Sequence, residues 1–99
     1  MIIRLTFRPE VPADLASAAS WYHHQRAGLG EEFLSEYRLA LDALVKRPLL
    51  RPEDQSGMRF WLVKRFPYRI FYRVQDDNIV VAAVFHVRRN PARLKDRGS

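Results

Sequence analysis

Ninety-nine residues support one domain spanning 1–99, and a chain that is 47% hydrophobic and 12% aromatic has the apolar material for a core at a size near the lower limit for one. The absence of cysteine excludes disulfides and thiolate metal sites, and the apolar run in "MIIRLTFRPE" is too short for a membrane span or signal peptide, so a soluble, cytoplasmic protein is expected. The net charge of +6 is uneven: ten Lys/Arg stand against three acids from Met58 to Ser99, while the rest of the chain carries seven basic and eight acidic residues. That asymmetry favours an anionic partner, nucleic acid or an acidic protein.

Residues 2–7, "IIRLTF", alternate weakly and are rich in β-branched types, which predicts a short strand. Pro9 and Pro12 stop it, yet both fit a first helical turn, where backbone N–H groups lack partners. A helix is predicted to begin between Pro9 and Ala13, with Val11, Leu15, Ala18, Ala19 and Tyr22 on one face and Trp21 beside them. It ends near "RAGLG": Gly28 can take the left-handed conformation that closes a helix, and Gly30 can open the next. The second helix has Glu31, Glu32 and Glu36 near its start, Lys46 and Arg47 at its end and Pro48 beyond, as the helix dipole prefers. Phe33, Tyr37, Leu41 and Leu44 form its apolar stripe, joined by Leu34 and Val45. So short a turn predicts an antiparallel helical hairpin.

After the polar loop "PLLRPEDQSG" the period changes to two. "MRFWLVKRF", "YRIFYRV" and "NIVVAAVFHV" read as strands, with a turn at Asp76-Asp77-Asn78. Residues from about 90 to 99 form a basic tail with the breaker Asn90-Pro91 and one short helical turn. The order β-α-α-β-β-β predicts an α+β domain, a helical hairpin packed on one face of a small antiparallel sheet.

Alternation assigns Tyr68, Ile70, Tyr72 and Val74 to one side of their strand and Arg69, Phe71 and Arg73 to the other. Burying two guanidinium groups under apolar helices costs several kcal/mol per unpaired ion, so the arginine side is expected on the open face of the sheet. There, Arg mixed with aromatic side chains suits phosphate contact and base stacking. Arg88 and Arg89 follow the next strand and extend this basic face, to which Lys64, Arg65 and Arg93 also belong as candidate partner-binding residues. The competing reading makes Trp61, Tyr68, Phe71, Tyr72 and Phe85 sheet packing and His86 a hydrogen-bonded structural histidine. His23 and His24 lack acids or cysteines at ligand spacing and make no metal site. No Gly-rich phosphate loop, nucleophile elbow, Cys/His pair or H-E-x-x-H occurs, so any catalysis is expected to be free of metal and cofactor and to use Arg, Lys, His or Tyr.

"WYHHQRAGLGEEFLSEY", "KRFPYRIFYRV" and "VVAAVFHVRRNP", in that order, resemble the RelE/ParE superfamily of bacterial type II toxin-antitoxin toxins, especially its ParE-like, plasmid-stabilisation branch. The resemblance runs from the first strand to about Arg97 and implies the same β-α-α-β-β-β fold. It also implies a growth-inhibiting toxin neutralised by a cognate antitoxin, with operator DNA bound only through that antitoxin. ParE-like members inhibit DNA gyrase; RelE-like members are metal-independent endoribonucleases that cut mRNA on the ribosome, a base assisting the ribose 2′-OH while arginines stabilise the charge on the phosphate. By position, Arg69 and Arg89 match arginines of the RelE-type catalytic set; some ribonuclease members use a histidine near the chain end, which makes His86 a further candidate. The lysines of that set appear here as Phe60 and Leu62, and its tyrosine falls around Leu94 or Lys95. The gyrase reading ranks first, the nuclease second, and a family member that only binds an antitoxin third.

Overall fold

A computed structural model describes residues 4–97; residues 2 and 3 of the predicted first strand and the last two of the tail lie outside the described part. The elements are β1 (Arg4–Phe7), α1 (Val11–Gln25), α2 (Leu29–Lys46), β2 (Arg59–Leu62), β3 (Tyr68–Gln75), β4 (Asn78–His86) and a 3-10 helix, Pro91–Asp96. On α1, with Pro12 in its first turn, the buried side chains are Val11, Ala18 and Tyr22; on α2 they include Phe33, Tyr37, Ala40 and Leu44. Both stripes recur at helical spacing and therefore meet one surface. Gly28, at φ 88°, does not close α1 but begins α2, and α1 ends instead with Arg26 in extended conformation. Gly30 lies where the two helices touch: a β-carbon there would strike the backbone carbonyl of Ala19, so the hairpin packs this tightly only with glycine.

The sheet order is β1-β4-β3-β2. β2, β3 and β4 pair antiparallel, while β1 joins β4 in parallel, Arg4 to Phe7 against Asn78 to Val81. The antiparallel sheet read from the sequence thus holds for three strands, and β1 and β2 occupy opposite edges, spanned by the helical hairpin. The two-residue turn at Asp76-Asp77 has Asp76 at φ 56°, a conformation aspartate tolerates. β2 is shorter than its apolar pattern suggests, because the chain turns through Arg65 at φ 71° before β3 begins.

Beneath the helices lie Ile70, Tyr72, Ile79, Val81 and Val84, with Tyr68, Trp61 and Val74 at the margin. The other face is not open, which corrects the expectation from alternation. Met58, Phe71, Ala82, Ala83, Phe85 and Leu94 form a second, smaller core there, roofed by the loop before β2 and by the 3-10 helix. The reason is apolar demand: Phe71 and Phe85 would otherwise leave two aromatic rings in water. Asn90 accepts a bond from the Ala92 N–H at 2.9 Å and starts the 3-10 turn that lowers Leu94 onto them.

A β-bulge organises this second face. Phe71 pairs with Ala83 but Tyr72 with Val81, so Ala82 is the extra residue and side-chain parity on β4 reverses across it. β1 runs out at the same place. The edge groups that it leaves unpaired are taken by side chains: the Val84 N–H donates to Asp14 Oδ2 at 3.0 Å, and Arg97 donates to the Ala82 carbonyl at 3.3 Å. Asp14 and Arg97 also pair with each other through two bonds, 2.5 and 3.0 Å, with side-chain exposures of only 6% and 11%. Arg97→Met is expected to strand the Asp14 carboxylate in this site and to cost roughly 3 kcal/mol of stability in urea denaturation. A loss below about 0.5 kcal/mol, the scale of ordinary surface changes, would mean that the pair does not hold the tail.

Candidate functional site

β3 places Arg69 and Arg73 on the second face, flanking Phe71, and its register fixes their neighbours. Arg69 lies between Leu62 of β2 and Phe85 of β4, and its guanidinium stands 4.8 Å from the centre of the Phe60 ring. Arg73 opposes Val80 and donates to the Ser56 carbonyl of the covering loop. Arg89, just past β4, brings its guanidinium 4.0 Å from the Phe85 ring, which Arg97 also approaches at 4.9 Å. Cation-π contact of this kind lets charge sit on an apolar floor without a carboxylate partner. Among the described residues neither Arg69 nor Arg89 has an ion pair, and the Nε atoms of Arg69 and Arg73 are buried with no hydrogen-bond partner.

A cavity of about 310 Å³ opens beside Arg69, walled by Phe60, Phe71, Met58, Pro91, Glu53 and Asp54. Asp54 is committed to the loop: it accepts from the Ser56 hydroxyl at 2.6 Å, the Ser56 N–H at 2.8 Å and the Met58 N–H at 3.0 Å. Those bonds, the Ser56 hydroxyl's first, hold its carboxyl below the usual carboxylate range. Among the described residues no Lys, His or Tyr side chain lines this cavity. Phe60 and Leu62 stand on the face where their sequence positions put them, beside Arg69.

His86 is elsewhere. The Ala82 bulge turns it to the helix side of the sheet, opposite Tyr68, whose ring it meets edge-on at 5.3 Å. Its Nδ1 accepts the Arg88 N–H at 3.0 Å. The single basic face expected from the sequence is therefore divided. Arg69, Arg73 and Arg89 share the second face. Arg65 reaches the other way to α2, bonding Glu32 at 2.8 Å and lying 3.5 Å from Glu36, and its bond to Glu32, with that of Arg26 second, lowers the Glu32 carboxyl. Lys64 lines a groove between α2 and β2, Arg88 is exposed beyond β4, and Arg93 is exposed on the 3-10 helix. The side chains that sequence reasoning did not single out are Asp14 and Arg97, 83 positions apart with no local pattern linking them.

Two further surfaces border this region. The groove between α2 and β2, about 240 Å³, is lined by Leu39, Ala40, Ala43, Trp61 and Leu62 with Glu36 and Lys64 at its rim; Leu39 is 62% and Leu62 51% exposed. β2 is also an edge strand, with one side unpaired. Among the described residues no cluster of three metal-ligating side chains occurs, and no helix is long and apolar enough to cross a membrane.

The sequence model of the family described as "ParE toxin of type II toxin-antitoxin system, parDE" matches residues 5–91. No curated protein matches the sequence. Among solved structures the chain is similar to one of the chromosomal ParDE TA system from P. aeruginosa, at 18% identity and a TM-score of 0.65, over 86% of this chain and 96% of that one. At that identity the likeness speaks for the fold, the β-α-α-β-β-β arrangement of helices on a four-stranded sheet. The family match covers both helices, all four strands and the arginines at 69, 73 and 89, and the chain belongs to the ParE toxin family of type II toxin-antitoxin systems.

Proposed function

We propose that this toxin inhibits bacterial growth by binding DNA gyrase in the cytoplasm, without cleaving RNA, and that a cognate antitoxin neutralises it. One observation carries the choice of target: among the described residues the cavity beside Arg69 offers guanidinium charge and no Lys, His or Tyr, its Asp54 is committed to the loop and its Glu53 lies 4.0 Å from the Arg59 guanidinium, so a base for a ribose 2′-OH is poorly provided. His86, the remaining candidate base, faces the other side of the sheet. The 3-10 helix also occupies the face that an RNA strand would need. On this reading the arginines serve recognition of an acidic surface, and the toxin needs no metal or cofactor.

The guanidinium groups of Arg69 and Arg89, without an ion pair among the described residues, favour a second reading, a metal-independent, ribosome-dependent mRNA endoribonuclease in which both stabilise phosphate charge. Induction without antitoxin separates the two. Replication arrest with SOS induction and intact mRNA is expected; prompt loss of translation with mRNA cut inside ribosomes would replace gyrase by the nuclease reading. Unaffected growth would leave a protein that only binds an antitoxin. Arg69→Ala with Arg89→Ala is expected to fold normally, since neither side chain is ion-paired among the described residues, and to weaken toxicity at least about tenfold, the scale of a lost interfacial charge contact. Full toxicity in that double variant would remove both arginines from target binding.

Antitoxin capture is assigned to the groove between α2 and β2. An acidic amphipathic segment that folds on binding would bury Leu39 and Leu62, find Lys64 at the rim, and use the free edge of β2, while any operator DNA is held through the antitoxin. Leu39→Asp with Leu62→Asp should leave the thermal midpoint nearly unchanged, because both are already exposed. The same change should weaken the isolated toxin-antitoxin complex by roughly 100-fold in calorimetry, the effect of removing two anchor side chains. An unchanged affinity would place the antitoxin on another surface.

A further inference from the structure

Where the C-terminal end of α1 meets the start of β3 and the end of β4, the surface holds an aromatic recess that the proposed antitoxin groove and the arginine face do not include. Its volume is about 360 Å³, and its walls are Trp21, Tyr22, Pro67, Tyr68 and His86. Trp21 is 57% exposed and stands edge-on to Tyr22 at 5.0 Å; Tyr68 and His86 close the other side. An indole left this open is unusual for packing and common at protein contacts, where Trp and Tyr act as anchors.

The recess is also supplied with unused polar groups. His86 Nδ1 accepts from the Arg88 N–H, so the neutral ring carries its hydrogen on Nε2. Among the described residues neither that N–H nor the hydroxyls of Tyr22 and Tyr68 has a protein partner, whereas Tyr72 gives its hydroxyl to the Pro48 carbonyl at 2.8 Å. Apolar walls with a few convergent donors are the usual make-up of a binding pocket. No carboxylate lines it, and two cations, Arg88 and Arg89, follow His86 directly in the chain. Burial raises the Tyr68 hydroxyl, and the nearby Arg89 charge opposes that rise. On the solvent side, Trp21 is shared with a shallow strip along α1 formed by Ala16, Ser17, Ser20 and His24. Small side chains there let an extended backbone lie close to the helix.

We propose that this recess is a docking site for an acidic peptide segment of a partner protein, which inserts one aromatic side chain between Trp21, Tyr68 and His86, sets an adjacent carboxylate toward Arg88 and Arg89, and runs along the Ala16–Ser20 strip. The site shares Arg89 with the arginine face and otherwise stands apart from the gyrase reading, because Trp21, Tyr68 and His86 lie on the helix side of the sheet.

N-acetyl-phenylalanine, an aromatic ring beside a carboxylate, is the probe, and its uncharged amide is the control. Titrated into the full-length ¹⁵N-labelled protein at low salt, the acid should shift the Trp21 indole N–H and the His86 ring signals saturably, at roughly 1 mM for a fragment of this size, with Trp61 unmoved. The amide should bind at least about threefold more weakly, and that gap should close in high salt or in Arg88→Gln with Arg89→Gln. Trp21→Ala should abolish the shifts; because Trp21 is exposed, its loss should leave the rest of the spectrum in place. No saturable shift at Trp21 would overturn the site, and equal binding of acid and amide would overturn its acidic partner. Trp21 signals that move on dilution without any probe would show that a second copy of the chain fills the recess, which also overturns the proposal.

Discussion

The edge of β4 is the constraint on which the rest depends. β4 is the most buried strand, yet β1 accompanies it only as far as Val81, and the Ala82 bulge then interrupts its ladder on the other side. Backbone groups left without partners in a buried position each cost about 1–3 kcal/mol. A longer β1 would have met that demand with more strand. Here a carboxylate from the first turn of α1 and a guanidinium from the tail meet it instead, and each also neutralises the other. One arrangement thereby ties the start of the helical hairpin, the middle of the sheet and the last turn of the chain together.

The character of the second face follows from that closure. With Arg97 anchored at β4, the 3-10 helix must cross the sheet, and Leu94 fills the space over Phe71 and Phe85. What remains accessible is a rim where Arg69, Arg73 and Arg89 stand on rings or on loop carbonyls. Positive charge held on aromatic faces is only partly desolvated and stays available to an outside anion, unlike Arg65, whose charge is taken up by Glu32 and Glu36. The excess of cations in the C-terminal half thus divides into structural, self-neutralised and available groups, a division that net charge alone does not contain.

Much of this was legible in the chain, and what was not has identifiable causes. The helical stripes and the parity of β3 are local patterns, and Tyr68, Ile70 and Tyr72 against Arg69, Phe71 and Arg73 divide as alternation requires. Parity fails as a guide in "VVAAVF", because a strand apolar on both faces carries no mark of a bulge, and His86 changes sides as a result. The covering of the second face was hidden for a different reason: in "NPARLKDR" a single leucine among charged residues gives no periodicity, and the Asp14–Arg97 pair joins opposite ends of the sequence. Trp21 illustrates the limit of a helical wheel, since lying beside the stripe placed it at the margin, where a wheel cannot distinguish core from anchor.

The layout places surfaces of different chemistry on separate elements. The α2–β2 groove is apolar with an unpaired strand edge, suited to a segment that folds as it binds. The rim of the second face offers guanidinium groups on rings, which favour an anion of defined position. The recess at Trp21 combines ring walls with donors that have no partner among the described residues. β3 and β4, pinned by the Asp14–Arg97 closure, run beneath the second face and the recess, whereas the groove rests on α2 and β2.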